Sequence, residues 1–233
     1  MEPLRQENRN ALILCGIVLL LCLLLYVIYP LTKTAVSIFA IITMFSITIY
    51  SNKRFEEFGP GVSFKGKNLL WAVIVGVGTY GFFWFASRVI PGLSFGLPYL
   101  PAAVTDNIQW IIIVILAPLA EELATRGALL RFIQWAESKR GVTKLELWIA
   151  IFAQAVFFML LHLLAYVGGW YESANWSGAF QSIGAVSGAL LTAGIFGVIF
   201  GFIAVRTKNL LTSIIAHMLI NGSLFVAAIV FLG

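Results

Sequence analysis

Charge is scarce in this sequence of 233 residues: Asp, Glu, Lys and Arg together make up 11% of it, against about a quarter in an ordinary soluble domain. Hydrophobic residues make up 61%, spread along nearly the whole length rather than gathered in one anchor. A water-soluble globule is excluded. What remains is an all-α polytopic membrane bundle. Since one crossing takes about 20 apolar residues, the chain has room for about seven helices, eight at most, and for no sizeable domain outside the bilayer. Cysteine is nearly absent as well. Cys15 and Cys22 are the only two, and on one helix they stand about 10 Å apart along the axis. They cannot join in an unstrained disulfide and read as buried apolar filler. No basic run is long enough to follow a phosphate backbone, so the net charge of +5 implies no nucleic-acid partner. No internal repeat pairs two halves as in many carriers.

Seven apolar segments are present, at 11–29, 35–50, 69–87, 108–130, 147–167, 178–205 and 210–232. The first is too long for a signal-peptide core and lacks a small-residue cleavage site, so it reads as a retained helix. A Gly- and Pro-rich linker at 91–101 follows the third. The sixth carries Gly184, Gly188, Gly197 and Gly201 at GxxxG spacing, a pattern for close helix packing; whether it is one helix or a hairpin decides the topology. With seven helices, twelve of the 15 Lys and Arg fall on one side. They lie at the N-terminus (Arg5, Arg9) and in three loops (Lys53, Arg54, Lys65, Lys67; Arg131, Lys139, Arg140, Lys144; Arg206, Lys208). Lys33 and Arg88 fall opposite. The positive-inside rule then predicts a cytoplasmic N-terminus and an external C-terminus.

The apolar segments contain a small polar set. Glu121, Glu122 and Arg126 lie in the fourth, His162 in the fifth, and His217 with Asn221 in the seventh; the chain has only two histidines. Ionisable groups within a bilayer are expensive and are usually retained for use. Glu122 and Arg126, at i and i+4, share a helical face and can pair, while Glu121 is turned about 100° away. One carboxylate can therefore hold the arginine while the other faces a cavity. His217 and Asn221 share a face in the same way, and Phe158 lies one turn before His162, where its ring can wall the imidazole from lipid. A depth count sets a problem: Glu121 and His217 match in the cytoplasmic half, but His162 falls too far outward. Either the fifth helix begins later or tilts, or the fourth is displaced near Pro118.

These residues carry a family resemblance. Glu121-Glu122-Leu-Ala-Thr-Arg126 resembles an EExxxR motif, Phe158-Met-Leu-Leu-His162 an FxxxH motif and His217-Met-Leu-Ile-Asn221 an HxxxN motif. Their order on separate helices is similar to that of the CAAX protease and bacteriocin-processing (CPBP, or Abi) family, which includes the type II CAAX prenyl endopeptidases. The resemblance spans about 108–232, giving one integral membrane domain of 1–233 whose catalytic core follows three transmembrane helices at about 11–87. One departure is Thr125, where many members carry an aromatic residue.

The resemblance implies an intramembrane endopeptidase acting on a membrane-associated peptide or protein, with a prenylated CaaX terminus as one substrate type. It implies Glu121 as general base, His162 as the residue holding the water, and His217 and Asn221 as donors to the oxyanion. Glu122, Arg126 and Phe158 are implied as supports. No cofactor is needed. A zinc-dependent version would use His162, His217 and Glu121 as ligands, with the second glutamate as base; HExxH is absent, and Asn221 is a poor zinc ligand. A non-proteolytic scaffold or immunity protein of the same fold, and a proton-coupled carrier, are the rival functions. Compact loops suggest a prokaryotic plasma membrane, with the site opening towards the cytoplasm.

Overall fold

The computed structural model describes residues 4–28, 33–63, 66–89, 111–138, 144–173 and 183–232. The Gly- and Pro-rich linker at 91–101, Lys65, Lys139, Arg140 and the start of the sixth segment lie outside these residues. Seven helices occur among the described residues: α1 (Gln6–Ile28), α2 (Lys33–Tyr50), α3 (Gly66–Val89), α4 (111–138), α5 (Lys144–Ser173), α6 (Ile183–Thr207) and α7 (Leu210–Leu232). The sixth segment is one helix over its described part. Four helices, α1, α3, α5 and α6, are long and apolar enough on their own to cross a membrane. The outer faces of α1 and α3 expose large apolar side chains such as Ile13, Leu20, Leu70 and Ile74, the surface lipid solvates.

Lipid offers no hydrophobic drive between helices, so their contacts depend on close packing. Ala11, Cys15, Val18 and Cys22 form the buried stripe of α1, and both thiols are free. A Cβ placed on Gly197 would come within 2.8 Å of the Ala155 backbone, and one on Gly201 within 2.4 Å of Gln154 Nε2. This part of the GxxxG stripe is thus where α6 lies against α5. Gln154 ties the same pair, donating to Gly197 O at 2.7 Å. At the centre stands α4, packed against α1, α2, α5, α6 and α7.

One end of the bundle is tied by hydrogen bonds among two of the loops, the end of α4 and the N-terminus. Arg131 donates to Asn8 Oδ1 at 2.8 Å and to Pro60 O at 3.2 Å. Asn209 accepts from Ser63 N–H and donates to Ser63 O, and Leu210 N–H bonds Gly61 O. Gly59, at φ 65, passes directly over Arg131 and donates to Gln134 Oε1. The N-terminus, the 51–63 loop, the end of α4 and the α6–α7 turn therefore share one side, as the alternation of seven helices requires.

The depth problem is resolved by the length of α4, which runs on past Leu130 to Ser138 and makes an antiparallel hairpin with α5. At 1.5 Å per residue, Glu121 lies about 26 Å from the end of α4 at Ser138, and His162 about 27 Å from the start of α5 at Lys144.

Candidate active site

Helix α4 is not regular. π turns at Ile112–Leu116 and Leu123–Leu129 flank a single α-helical stretch, Ala117–Glu122. Pro118 supplies part of the cause, since it offers no N–H to the preceding turn. Such π segments recur at functional sites because they free carbonyls and re-aim side chains. The two carboxylates of interest end the α-helical stretch. From Pro118 to Ala128 every residue is buried except Glu121.

Glu122 and Arg126 meet as their spacing predicts, with Oε1 3.0 Å from Nη1 and both side chains fully buried. The same Oε1 lies 3.0 Å from His217 Nδ1. The paired carboxylate accepts, so Nδ1 donates and the far side of the imidazole is left to Glu121. Glu121 Oε2 is 3.9 Å from His217 Nε2, and its side chain keeps 13% exposure. Around these groups the walls are aromatic. Phe158 lies under the Arg126 guanidinium at 3.9 Å, and Phe200 stacks on His217 with centroids 4.9 Å apart. These faces exclude water and attract the guanidinium through the ring quadrupole.

His162 packs against Phe158, with ring centroids 4.6 Å apart. Its Nδ1 is 3.0 Å from Phe158 O. A carbonyl only accepts, so Nδ1 carries a hydrogen and Nε2 is the ring nitrogen left for other partners. One phenyl ring thus contacts both His162 and Arg126, and it meets His217 edge-on with centroids 5.9 Å apart. Asn221 is bonded to backbone instead: its Nδ2 donates to Ile113 O at 2.9 Å. The zinc alternative needs three ligands in one place, and among the described residues no three His, Cys, Asp or Glu side chains gather closely enough to hold a metal ion.

Two contributors escaped the sequence reading. Thr125, noted there only as a departure, accepts from Arg126 Nη1 at 2.7 Å and donates to Glu121 O at 2.6 Å. Its hydroxyl shares the arginine with Glu122. Phe200 is one of 19 phenylalanines in an apolar helix, and no local pattern marks it.

A family model described as type II CAAX prenyl endopeptidase Rce1-like matches residues 103–223, just over half of the chain. The chain belongs to this Rce1-like family. All three motifs lie inside the matched span, and membership sets the chain among CAAX-type membrane proteases in general. Comparison with curated proteins and with solved structures gives no match.

Proposed function

We propose that this Rce1-like protein is an intramembrane endopeptidase that hydrolyses a peptide bond near the end of a membrane-associated substrate, prenylated CaaX termini included, using water activated by Glu121. The observation that carries the reading is the division of labour between adjacent carboxylates. Glu122 is fully buried and held by Arg126 and His217, whereas Glu121 is the one residue of its stretch with an open face.

The chemistry follows from charge and hydrogen bonding. A water donating one hydrogen to Glu121 and the other to His162 Nε2 turns a lone pair towards the scissile carbonyl. As Glu121 takes the proton, the carbonyl oxygen becomes an oxyanion and draws on the Nε2–H of a doubly protonated His217, whose Nδ1–H stays on Glu122. Two carboxylates, one guanidinium and one imidazolium sum to zero before attack, and the protonated Glu121 with the oxyanion keeps that balance after it. Glu121 then passes its proton to the leaving nitrogen. A positioned base contributes about 10²–10⁴ in rate and an oxyanion donor about 10²–10³. No step passes through a metal.

The proposed orientation puts the tied end of the bundle and the N-terminus in the cytoplasm, with the site opening to that side of a prokaryotic plasma membrane. Reporter fusions should place the N-terminus inside and the C-terminus outside; the reverse would sink it. The activity itself is tested by comparing membrane peptidomes of cells carrying the wild type and Glu121→Gln. Peptides truncated only in the wild type support the enzyme, while identical peptidomes with equal protein levels favour a non-proteolytic scaffold.

A further inference from the structure

Asn221 shares a helical face with His217, yet its amide is bonded to the backbone of another helix. The reason lies in α4. In a regular α-helix Ile113 O accepts from Ala117 N–H, but in the π turn that N–H goes to Ile112 O instead. In the π register the donor for Ile113 O would be residue 118, which is Pro118 and has no N–H. Inside a bilayer a carbonyl without a donor is costly, because no lipid group can serve it. The Asn221 amide supplies the missing donor from α7. At Gly222, the next residue, an added Cβ would stand 3.6 Å from Val114, an ordinary contact, so the approach of α7 to α4 there does not depend on the glycine.

We propose that Asn221 is a positioning residue. With Pro118 it forms an interhelix lock, in which the proline frees the Ile113 carbonyl and the asparagine fills it. The lock fixes the register of α7 on α4. His217, one turn before Asn221, is thereby brought to Glu121 and Glu122, one turn after Pro118. Two side chains on consecutive turns of α7 then hold two points of α4, so His217 cannot slide along the carboxylates without breaking the Asn221 bond. The activity arm of this inference rests on the protease reading; the lock itself does not.

Its signature is that Asn221 becomes dispensable once residue 118 can donate. The experiment uses full-length protein in proteoliposomes and a quenched fluorogenic peptide with a farnesylated cysteine fourth from its carboxyl end. Asn221→Ala should lower kcat about 10–100-fold with KM little changed, the scale of a small misplacement of catalytic groups. Pro118→Ala/Asn221→Ala should recover to within about threefold of Pro118→Ala, a coupling that only interacting residues show. A double variant as impaired as Asn221→Ala, beside an active Pro118→Ala, would overturn the lock and leave Asn221 acting on substrate directly. A second measurement needs no change at 118 and no turnover. An isotope-labelled Ile113 carbonyl should show its infrared band at higher frequency in Asn221→Ala than in wild type, since it loses a donor. An unmoved band overturns the lock. A shifted band in a protein that cleaves nothing supports the lock while removing the protease reading.

Discussion

His217 is oriented by Glu122 across the α4–α7 interface: Nδ1 and Oε1 are 3.0 Å apart, at a carboxylate that also holds Arg126. One buried oxygen therefore organises both a cation on its own helix and an imidazole on another. The catalytic reading depends on this arrangement, because it leaves the second ring nitrogen of His217 and the whole of Glu121 for chemistry.

Glu122→Gln and Arg126→Ala should each destabilise the protein by about 3–5 kcal/mol, since each strands a buried charge without its partner. Thermal unfolding in detergent measures this. The double variant Glu122→Gln/Arg126→Ala should lose less than the two single losses together. Strict additivity would mean that the two residues do not act as a pair.

Thr125→Val keeps the shape and removes the hydroxyl that Arg126 shares. The buried Nη1 then loses a partner, at a cost of about 1–3 kcal/mol. Thr125→Ser should behave like the wild type in the same unfolding assay. A loss in Thr125→Ser with Thr125→Val unchanged would trace the effect to packing of the methyl group instead of the hydrogen bond.

Gly127 faces Tyr50, whose hydroxyl would stand 2.0 Å from an added Cβ. That hydroxyl is buried with no hydrogen-bond partner, so Tyr50→Phe alone should be close to neutral in stability. Gly127→Ala should cost about 1–3 kcal/mol from overpacking, and Gly127→Ala/Tyr50→Phe should regain part of it. The ring carbon at 3.0 Å prevents full recovery. No gain from the second change would show that the strain lies elsewhere in α2 or α7.

The seven helices were legible because apolar run length and the side preference of Lys and Arg are both written into composition. The Glu122–Arg126 pair was legible because i,i+4 spacing is a local rule. Helix ends were less so. The stretch after Leu130 carries Arg131, Gln134 and Glu137, which read as a loop, whereas Phe132 and Trp135 pack with Phe55 and keep it helical. That extension removes the mismatch in depth of His162. The π turns were signalled only by Pro118, and their consequence for Asn221 depends on which carbonyl is left free, a fact of three dimensions. Thr125 was visible as an oddity, but its hydroxyl gains meaning only once Arg126 is seen to fork.

If catalysis uses Glu121 and the histidines without zinc, exhaustive chelation should leave peptide cleavage unchanged, and the purified protein should contain far less than one equivalent of metal. Activity lost to a chelator and restored by zinc would favour the metal alternative, with His162, His217 and Glu121 as ligands.

The most direct test of the central claim is single-turnover cleavage of the farnesylated peptide by purified wild type and Glu121→Gln in proteoliposomes, with unfolding measured on the same samples. The account predicts release of a tripeptide by the wild type and a loss of at least about 10²-fold in Glu121→Gln, with unchanged thermal stability. Cleavage at the wild-type rate by a folded Glu121→Gln would contradict it.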